Sequence, residues 1–232
     1  MMTSQSLRLA LLSRLAEMVS NLKFSRPVRV AVDGRTASGK TTFANELAAE
    51  IARRGRAVIR TSVDGFHMPK ATRYARGRYS AEGYYFDARD LVAIRSLLLD
   101  PLGPGGDRQY RTASFDLEND TAIEQPPLAA PLESILIVDG TFLQRPELIT
   151  GWDVTVFLDT SEDLSERRGV NRDAERLGGL QAARQLYAER YRPAFDLYER
   201  RCRPRSIADA VVDNNDIDRP HMQLRSGGIL SA

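Results

Sequence analysis

The sequence predicts an α/β fold of three layers, in which a mainly parallel sheet lies between helices on both of its faces. Short apolar runs typical of strands alternate with amphipathic segments typical of helices along the 232 residues. Several predicted strands are apolar at every position, which is the pattern of strands buried on both faces of a parallel sheet. Ligands in such folds bind beyond the carboxyl ends of the strands, so we expect the functional site there.

Strands are predicted where β-branched and apolar residues run together between turn residues. They cover residues 28–32, 57–63, 134–138, 154–158 and 210–212. Apolar spacings of three and four residues predict helices at 1–23, 41–53, 87–99, 162–176 and 180–191, with another turn or two over 195–201. Gly55 is a stop signal after the second helix, and Pro193 is expected to end the fifth.

Three segments of different character are predicted along the chain. Residues 1–26 form an amphipathic helix that packs on the core. Its apolar stripe is made of Leu7, Leu11, Leu15, Met18 and Leu22. Residues 27–218 form the main domain. Residues 219–232 contain a proline and a Gly-Gly pair, and they are expected to be a flexible, poorly ordered tail.

Composition excludes several classes of protein. The single cysteine, Cys202, allows no intramolecular disulfide and favours a reducing, cytoplasmic location. With only two histidines far apart, the chain has no zinc-binding framework. The net charge of +2 predicts neither nucleic-acid nor membrane binding by itself, and no apolar run reaches membrane-spanning length. Most basic residues are arginines, which suit bidentate phosphate binding.

Three of the predicted strands end in the dipeptide Asp-Gly. These are Asp33-Gly34, Asp64-Gly65 and Asp139-Gly140. The carboxyl ends of parallel strands lie at the same edge of a sheet, so all three carboxylates are expected over one crevice.

The strongest motif begins at the end of the first predicted strand. It consists of Gly34, Arg35, Thr36, Ala37, Ser38, Gly39, Lys40 and Thr41, followed by Thr42, and its first eight residues fit G-x-x-x-x-G-K-[ST]. The glycines let backbone N–H groups face phosphate oxygens, Lys40 reaches the terminal phosphates, and the Thr41 hydroxyl takes a magnesium position. A chance glycine-rich turn is the alternative. Because a strand precedes the motif and an amphipathic helix follows it, we predict a P-loop NTPase fold that binds ATP with Mg²⁺.

Among P-loop proteins, the sequence favours a small-molecule kinase. A GTPase should carry an [NT]-K-x-D segment, and none of the three lysines lies in one. A chain of 232 residues also leaves little room for the second domain of a motor protein. A carboxylate at a strand end that faces the transferable phosphate can take the proton of an acceptor hydroxyl, and Asp64 is the candidate. The alternative is a turn aspartate that only shapes the bend.

Two further segments resemble those of a known family. Residues 62–67 are similar to the D-S-F-Y segment of uridine kinases and to the D-G-F segment of pantothenate kinases. Residues 86–90 resemble the F-D-H-P-D segment of uridine kinases. From Val28 to about Asn214, the order and spacing of these landmarks are similar to those of the uridine kinase/phosphoribulokinase family. The resemblance implies phosphoryl transfer from ATP to a hydroxyl of a nucleoside-like small molecule, with no nucleic-acid or membrane partner. It leaves a homo-oligomer open.

The resemblance also implies roles for individual carboxylates. Asp64 matches the family's catalytic base. Asp139 stands where uridine kinases have glutamate, and a carboxylate there can hold a magnesium-bound water opposite Thr41, or it is a turn residue. Asp87 matches the family residue that hydrogen-bonds ribose hydroxyls, although it could equally be the N-cap of the helix predicted from residue 88.

Three aromatic positions bear on the acceptor. Tyr110 matches a family tyrosine that contacts the base, and a partly buried structural tyrosine is the alternative. Phe115 stands where uridine kinases place a histidine that reads the pyrimidine, and phenylalanine cannot hydrogen-bond a base edge. Uridine specificity is therefore in doubt, with pantothenate or a sugar as alternative acceptors. His67 could supply a replacement contact or serve as a wall of the pocket.

Residues 165–182 resemble the family's arginine-rich lid, which closes over ATP and neutralises phosphoryl charge. Arg172 aligns directly with a family arginine, whereas Arg168 and Arg176 fit only with a shift of one residue, and the role of Arg167 stays open. A solvated charged helix face is the alternative. Residues 70–85 mix arginines with tyrosines, which can mark RNA binding, but a flexible segment that covers the acceptor is favoured. An ATP-dependent nucleic-acid-binding or regulatory protein is the remaining alternative.

Overall fold

A six-stranded sheet forms the centre of the protein. The structure, a computed structural model, describes residues 4–231, with side chains for residues 7–231. The strands are β1 Val28–Gly34, β2 Val58–Ser62, β3 Gln109–Tyr110, β4 Phe115–Asp116, β5 Thr121–Ala122, β6 Leu128–Ala129, β7 Ile135–Gly140, β8 Val154–Asp159, β9 Ala210–Asp213 and β10 His221–Leu224. In the central sheet they stand in the order β10-β9-β8-β1-β7-β2, and all neighbours are parallel except β10 and β9. The short strands form two small antiparallel pairs, β3 with β6 and, in the segment between them, the hairpin of β4 with β5.

Helices cover both faces of the sheet. They are α1 Ser4–Asn21, α2 Lys40–Arg53, α3 Lys70–Arg73, α4 Leu91–Ala93, α5 Pro146–Ile149, α6 Glu162–Leu177, α7 Leu180–Leu186, α8 Arg192–Cys202 and α9 Pro204–Ile207. Wider π-helical turns occur at Gly83–Asp87, Ile94–Leu99 and Tyr187–Tyr191. Within residues 4–231, no helix combines the length and the apolar character needed to cross a bilayer.

The core is divided by the sheet into two main layers. Val30 and Val32 of β1 belong to the layer formed with α1 and α2, and Phe43 of α2 is fully buried there. Ala31, which points to the other face, packs in the layer that holds Ile94 and Leu98. This alternation is that of a strand buried on both faces, so the predicted three-layer α/β fold is confirmed.

The two termini stand differently against the prediction. In α1, Leu11 and Leu15 of the predicted stripe are buried and Met18 and Leu22 pack against the core, whereas Leu7 is 39% exposed. The expectation of a poorly ordered tail was wrong for most of its length. His221–Leu224 pairs antiparallel with β9, and Leu230 is buried in the layer of α1 and α2. The alternating pattern of this strand is short and half exposed, so it gave little signal against the flanking proline and glycines.

Two predicted helix boundaries were also wrong. The helix expected from residue 87 begins at Leu91, and the Asp90 carboxylate caps it by accepting a hydrogen bond from the Ala93 N–H at 2.8 Å. Asp87 therefore does not cap this helix. Pro193 does not end the preceding helix either. The π-turn Tyr187–Tyr191 runs directly into α8, and the proline lies just after it, where the wider turn accommodates a residue without a backbone N–H.

Candidate functional site

The glycine-rich loop between β1 and α2 has the geometry of a phosphate cradle. Gly39 has φ of +95°, and Ala37 also lies in the left-handed region at +62°. A Cβ at Gly39 would lie 2.8 Å from Nδ2 of Asn214, and a Cβ at Gly34 only 2.6 Å from the carbonyl oxygen of Leu158. Both glycines are therefore required by close approach, and they allow the loop to wrap around the N-terminus of α2.

The loop is clamped from outside by residues near the ends of β8 and β9. The Ser38 carbonyl accepts hydrogen bonds from Nδ2 of Asn214 at 2.8 Å and from Oγ1 of Thr160 at 3.2 Å. Oγ of Ser38 is buried and has no partner among the described residues. A buried hydroxyl without a partner is costly, and a phosphate oxygen in the loop would satisfy it. These residues thus fit the ATP phosphates predicted for the loop.

Lys40 is the focus of the charges in the crevice. Its Nζ donates to the Arg35 carbonyl at 2.5 Å. Burial lowers the pKa of the Lys40 ammonium to about 8. Three carboxylates oppose that shift, those of Asp33, Asp139 and Asp64, and the charge of Arg172 adds to it. The predicted phosphate lysine, base, metal carboxylate and lid arginine are therefore close enough for their charges to influence one another.

Asp33 departs from the expectation that all three aspartates face the crevice. It is fully buried beneath the loop. Its carboxylate accepts hydrogen bonds from the Tyr198 hydroxyl at 2.5 Å, the Gly34 N–H at 2.7 Å, and more weakly from the Phe142 N–H and the Gln144 side chain. Burial raises its pKa, and the hydrogen bonds oppose that rise. Asp33 is a buried support for the loop, tied to α8.

Thr41 and Asp139 meet as expected for a shared metal position. Oγ1 of Thr41 donates to Oδ2 of Asp139 at 2.7 Å, and the second carboxylate oxygen accepts from Arg60 at 2.5 Å. A hydroxyl and a carboxylate are ligands that suit Mg²⁺. The donor set fits the predicted ion, with Arg60 as an additional charge that sequence reasoning had not identified.

Asp64 lies in the turn Val63–Gly65, directly after β2. Its side chain is 68% exposed, and Oδ1 accepts a hydrogen bond from Nη2 of Arg89 at 2.6 Å. Desolvation raises the pKa of Asp64, but the neighbouring cations, Arg89 first, together with the hydrogen bond from Arg89 outweigh that rise, so the pKa lies below its ordinary value. Asp64 is therefore an ionised carboxylate that opens to the crevice.

His67 completes this group. Nη1 of Arg89 lies 3.0 Å from Nδ1 of His67, and because arginine has only donors, Nδ1 is the acceptor and Nε2 carries the proton. Nε2 is 3.9 Å from the Asp64 carboxylate. Burial and then the charge of Arg89 lower the pKa of His67 to about 3, so the ring is neutral. His67 is a wall of the Asp64 site.

Backbone pairing brings Arg89 to this position. The Met68 N–H donates to the Ala88 carbonyl, the Asp90 N–H donates to the Phe66 carbonyl, and His67 pairs with Arg89. Sequence reasoning missed Arg89, although it replaces the proline of the F-D-H-P-D segment. That substitution of a charge for a proline was the signal that could have identified it.

The other predicted acceptor residues are less closely grouped. The Asp87 carboxylate accepts from Nε of Arg76 at 2.7 Å. Tyr110 is buried in the layer of Ile94 and Leu98, which favours its structural alternative, and burial raises its pKa. Phe115 is 7% exposed and lies in the β4–β5 hairpin.

The predicted lid arginines lie on α6. Arg172 forms two hydrogen bonds with the buried Asp173, at 2.9 and 3.0 Å, and Arg176 lies 3.6 Å from the same carboxylate. Both guanidinium-bearing side chains are more than half exposed. Arg168 instead donates to the carbonyls of Asn214 and Asn215.

Arg35 is placed differently from the prediction. Its side chain turns away from the loop toward Glu162 and Glu199, at 3.2 and 3.0 Å, and stacks over Phe195. Only its backbone can therefore contact phosphate.

Comparisons with known proteins identify the family to which the chain is similar. The sequence model of the phosphoribulokinase/uridine kinase family matches residues 29–217 of this chain. The chain is 30% identical over 176 residues to uridine-cytidine kinase B of Dictyostelium discoideum, across 74% of this chain and 69% of that protein. It is 23% identical over 177 residues to the uridine kinase of Lactobacillus helveticus, across 76% and 82% of the two chains.

A solved structure supports the fold. A protein described as a possible uridine kinase from Bacillus stearothermophilus superposes with a TM-score of 0.68 at 24% identity, across 88% of this chain and 96% of that one. At this identity the likeness establishes the fold alone, and it agrees with the predicted P-loop kinase architecture.

Proposed function

The chain belongs to the phosphoribulokinase/uridine kinase family of ATP-dependent small-molecule kinases, and from that premise we propose that it transfers the γ-phosphoryl group of ATP to an acceptor hydroxyl, with Asp64 as the general base. The carrying observation is that the P-loop, Asp139 and Asp64 lie at the carboxyl ends of the neighbouring strands β1, β7 and β2, with Thr41 of the loop in contact with Asp139. A nucleotide-binding or regulatory protein would have no need of an ionised carboxylate that faces the phosphate position.

On the donor side, the backbone of the loop and the N-terminus of α2 hold the phosphates. Lys40 and Arg172 stabilise the negative charge of the phosphoryl group as it moves. Thr41 and Asp139 would hold Mg²⁺, which supplies charge neutralisation at the phosphates when bound. Arg176 and Arg168 extend the positive surface of the lid.

On the acceptor side, Asp64 takes the proton of the attacking hydroxyl. Oδ1 is held by Arg89, and Oδ2 has no hydrogen-bond partner within residues 7–231. The free oxygen can therefore accept the hydroxyl, while Arg89 fixes the orientation of the carboxylate and keeps it ionised. Asp87 follows the acceptor-covering segment, residues 70–85. Its carboxylate can bind a second hydroxyl of the acceptor once the hydrogen bond from Arg76 is broken.

A nucleoside is the first acceptor to test, because the relatives named above are uridine and uridine-cytidine kinases. A second candidate is another hydroxyl metabolite, such as pantothenate or a sugar. Phe115 favours it, since a buried phenylalanine replaces the polar contact that a pyrimidine would require.

The test is ADP release with Mg²⁺-ATP against nucleosides, pantothenate and sugars. With the accepted substrate, Asp64→Asn is expected to lower kcat by about a thousandfold, because general-base catalysis of this kind contributes about 10² to 10⁴. Affinity for ATP should stay within about twofold, since Asp64 does not hold the donor. Asp107→Asn is the matched control, because Asp107 is an exposed turn aspartate that accepts only the Gln109 N–H.

Equal loss in the two variants, or full activity of Asp64→Asn, would reject the role of Asp64. ATP hydrolysis that no acceptor stimulates, or tight RNA binding, would favour the regulatory alternative instead.

A further inference from the structure

Arg60 is the charged residue of β2, a strand whose apolar side chains belong to the core. Its neighbours Val58 and Ile59 pack in the two layers on opposite faces of the sheet. Side chains alternate along a strand, so Arg60 shares the face of Val58, which is the face that α2 covers. The register of β2 with β7 places Ser62 beside Asp139. Arg60 precedes Ser62 by two residues on the same face, so it lies next to the carboxylate of the expected metal position.

The guanidinium group of Arg60 is held by three acceptors. Nη2 donates to Oδ1 of Asp139 at 2.5 Å, and Nε donates to Oδ1 of Asn45 on α2 at 2.9 Å. Nη1 donates to the Thr61 carbonyl oxygen. The side chain of Arg60 is 20% exposed, and that of Asp139 only 5%. Because two contacts besides Asp139 orient the guanidinium, its position at the carboxylate is fixed by the surrounding structure.

Both carboxylate oxygens of Asp139 accept hydrogen bonds from the protein. Oδ2 accepts from the Thr41 hydroxyl at 2.7 Å, and Oδ1 accepts from Arg60. The Thr41 hydroxyl can donate to Asp139 and still offer its own lone pairs to a cation, since a hydroxyl is both donor and acceptor. Arginine has only donors and a permanent positive charge. Arg60 therefore takes the oxygen that Mg²⁺ or one of its water ligands would use, and its charge balances that of the carboxylate.

We propose that Arg60 keeps the affinity of the Thr41–Asp139 position for Mg²⁺ low until ATP is bound. This inference rests on the proposed function, because that function assigns the ion to these two residues. A cation beside a carboxylate cancels most of its attraction for a second cation and repels that cation at short range. The phosphates of ATP supply the missing negative charge, so the ion is expected to bind together with the nucleotide. Arg60 acts through Asp139, and it is a positioning residue.

A direct contact with the phosphates of ATP is the alternative role for Arg60. Each of its three guanidinium nitrogens already donates to a protein acceptor. A phosphate would have to replace at least one of these contacts, and Lys40 of the loop is already the cation expected at the terminal phosphates. The geometry therefore favours a role through Asp139.

The experiment measures Mn²⁺ binding to the full, nucleotide-free chain by electron paramagnetic resonance, which detects the free ion directly. Mn²⁺ takes the same oxygen ligands as Mg²⁺. Arg60→Gln keeps a hydrogen-bond donor but removes the charge, and it should bind Mn²⁺ at least about tenfold more tightly than the wild-type protein. Arg60→Lys keeps the charge and should stay within about twofold of wild type. Urea unfolding checks that each variant is folded.

Two further variants assign the gain in Mn²⁺ affinity to Asp139. Asp139→Asn, added to Arg60→Gln, should remove most of the gain. Arg54→Gln is the matched control, because Arg54 is a similarly half-buried arginine at the C-terminal end of α2, where it contacts Glu50 and Ser13. It removes the same charge far from the metal position and should leave Mn²⁺ binding unchanged.

Equal Mn²⁺ affinity of the wild-type protein and Arg60→Gln would overturn the inference, as would an equal gain in Arg54→Gln. Weaker binding of ADP to Arg60→Gln in EDTA, with unchanged Mn²⁺ affinity, would assign Arg60 to the phosphates and also reject it. These measurements need neither acceptor nor turnover, so the inference can fail while the kinase proposal stands. A gain in Mn²⁺ affinity in a protein that phosphorylates no acceptor would support the role of Arg60 and reject the kinase proposal.

Discussion

The two halves of the site differ in how their charges are balanced. On the donor side, Lys40 lies among three carboxylates, and a buried network supports the loop from below. On the acceptor side, the Asp64 side chain is 68% exposed, and within residues 7–231 only one of its two carboxylate oxygens has a hydrogen-bond partner. The donor half is held by contacts within the protein, with Oγ of Ser38 left for a phosphate oxygen, whereas the acceptor half has few internal contacts and is open to an incoming molecule.

Among the variants that test this difference between the donor and acceptor sides, Asp33→Asn is expected to have the largest effect on stability. Asp33→Asn removes a buried charge that accepts hydrogen bonds from Tyr198 and Gly34, so the free energy of unfolding should fall by about 3 kcal/mol. Asp33 also raises the pKa of Lys40, so its loss should lower that pKa further below about 8. The affinity for ATP should then decline at a lower pH than in the wild-type protein. Urea unfolding and calorimetric titration of ATP from pH 6 to pH 9 measure the two effects.

Asp209→Asn is the matched control for this variant. Asp209 is also buried and accepts hydrogen bonds from Thr155 and Arg225. It directly precedes β9, so it lies at the amino ends of the parallel strands, away from the P-loop. It should lose comparable stability and leave the pH dependence of ATP binding unchanged. An identical pH shift in both variants would mean that Asp33 acts only through stability, and the electrostatic link to Lys40 would be rejected.

What the sequence could predict follows the same division. The P-loop is contiguous and its glycines are required by local geometry, so its position, the flanking strand and the helix were predictable from a few residues. Tyr198 lies far along the chain from Asp33, and only the packing of α8 brings the two together. No periodic pattern encodes such contacts. Arg89 was the exception, since it lies inside a segment that the sequence had already singled out.

A smaller effect is expected from pH on the acceptor side. Burial and the charge of Arg89 lower the pKa of His67 to about 3 in the folded protein, whereas an unfolded histidine has a pKa of about 6.5. Below pH 6.5 the unfolded chain therefore binds more protons, and stability falls as the pH decreases toward 3. At pH 5 this contribution is a loss of about 2 kcal/mol relative to pH 7.5.

Urea unfolding of the wild-type protein and of His67→Gln at pH 5 and pH 7.5 measures this loss of stability. Glutamine keeps an acceptor for Arg89 but does not titrate, so the difference between the proteins should shrink by about 2 kcal/mol at pH 5. A difference that stays constant with pH would show that the pKa of His67 is the same in the folded and unfolded protein, and the lowered pKa would be rejected.

The smallest effect separates two neighbouring carboxylates, Asp90 and Asp87. Asp90→Ala removes the cap of α4 and should lower the free energy of unfolding by about 1 kcal/mol, with little change in acceptor KM. Asp87→Ala breaks only an exposed pair with Arg76, so its stability should change by less than about 0.5 kcal/mol while acceptor KM rises severalfold. Urea unfolding and steady-state kinetics distinguish the two. If Asp87→Ala leaves the KM for the acceptor unchanged, Asp87 does not bind the acceptor. Asp64 and the Arg89 that holds it are then the remaining candidates on the acceptor side.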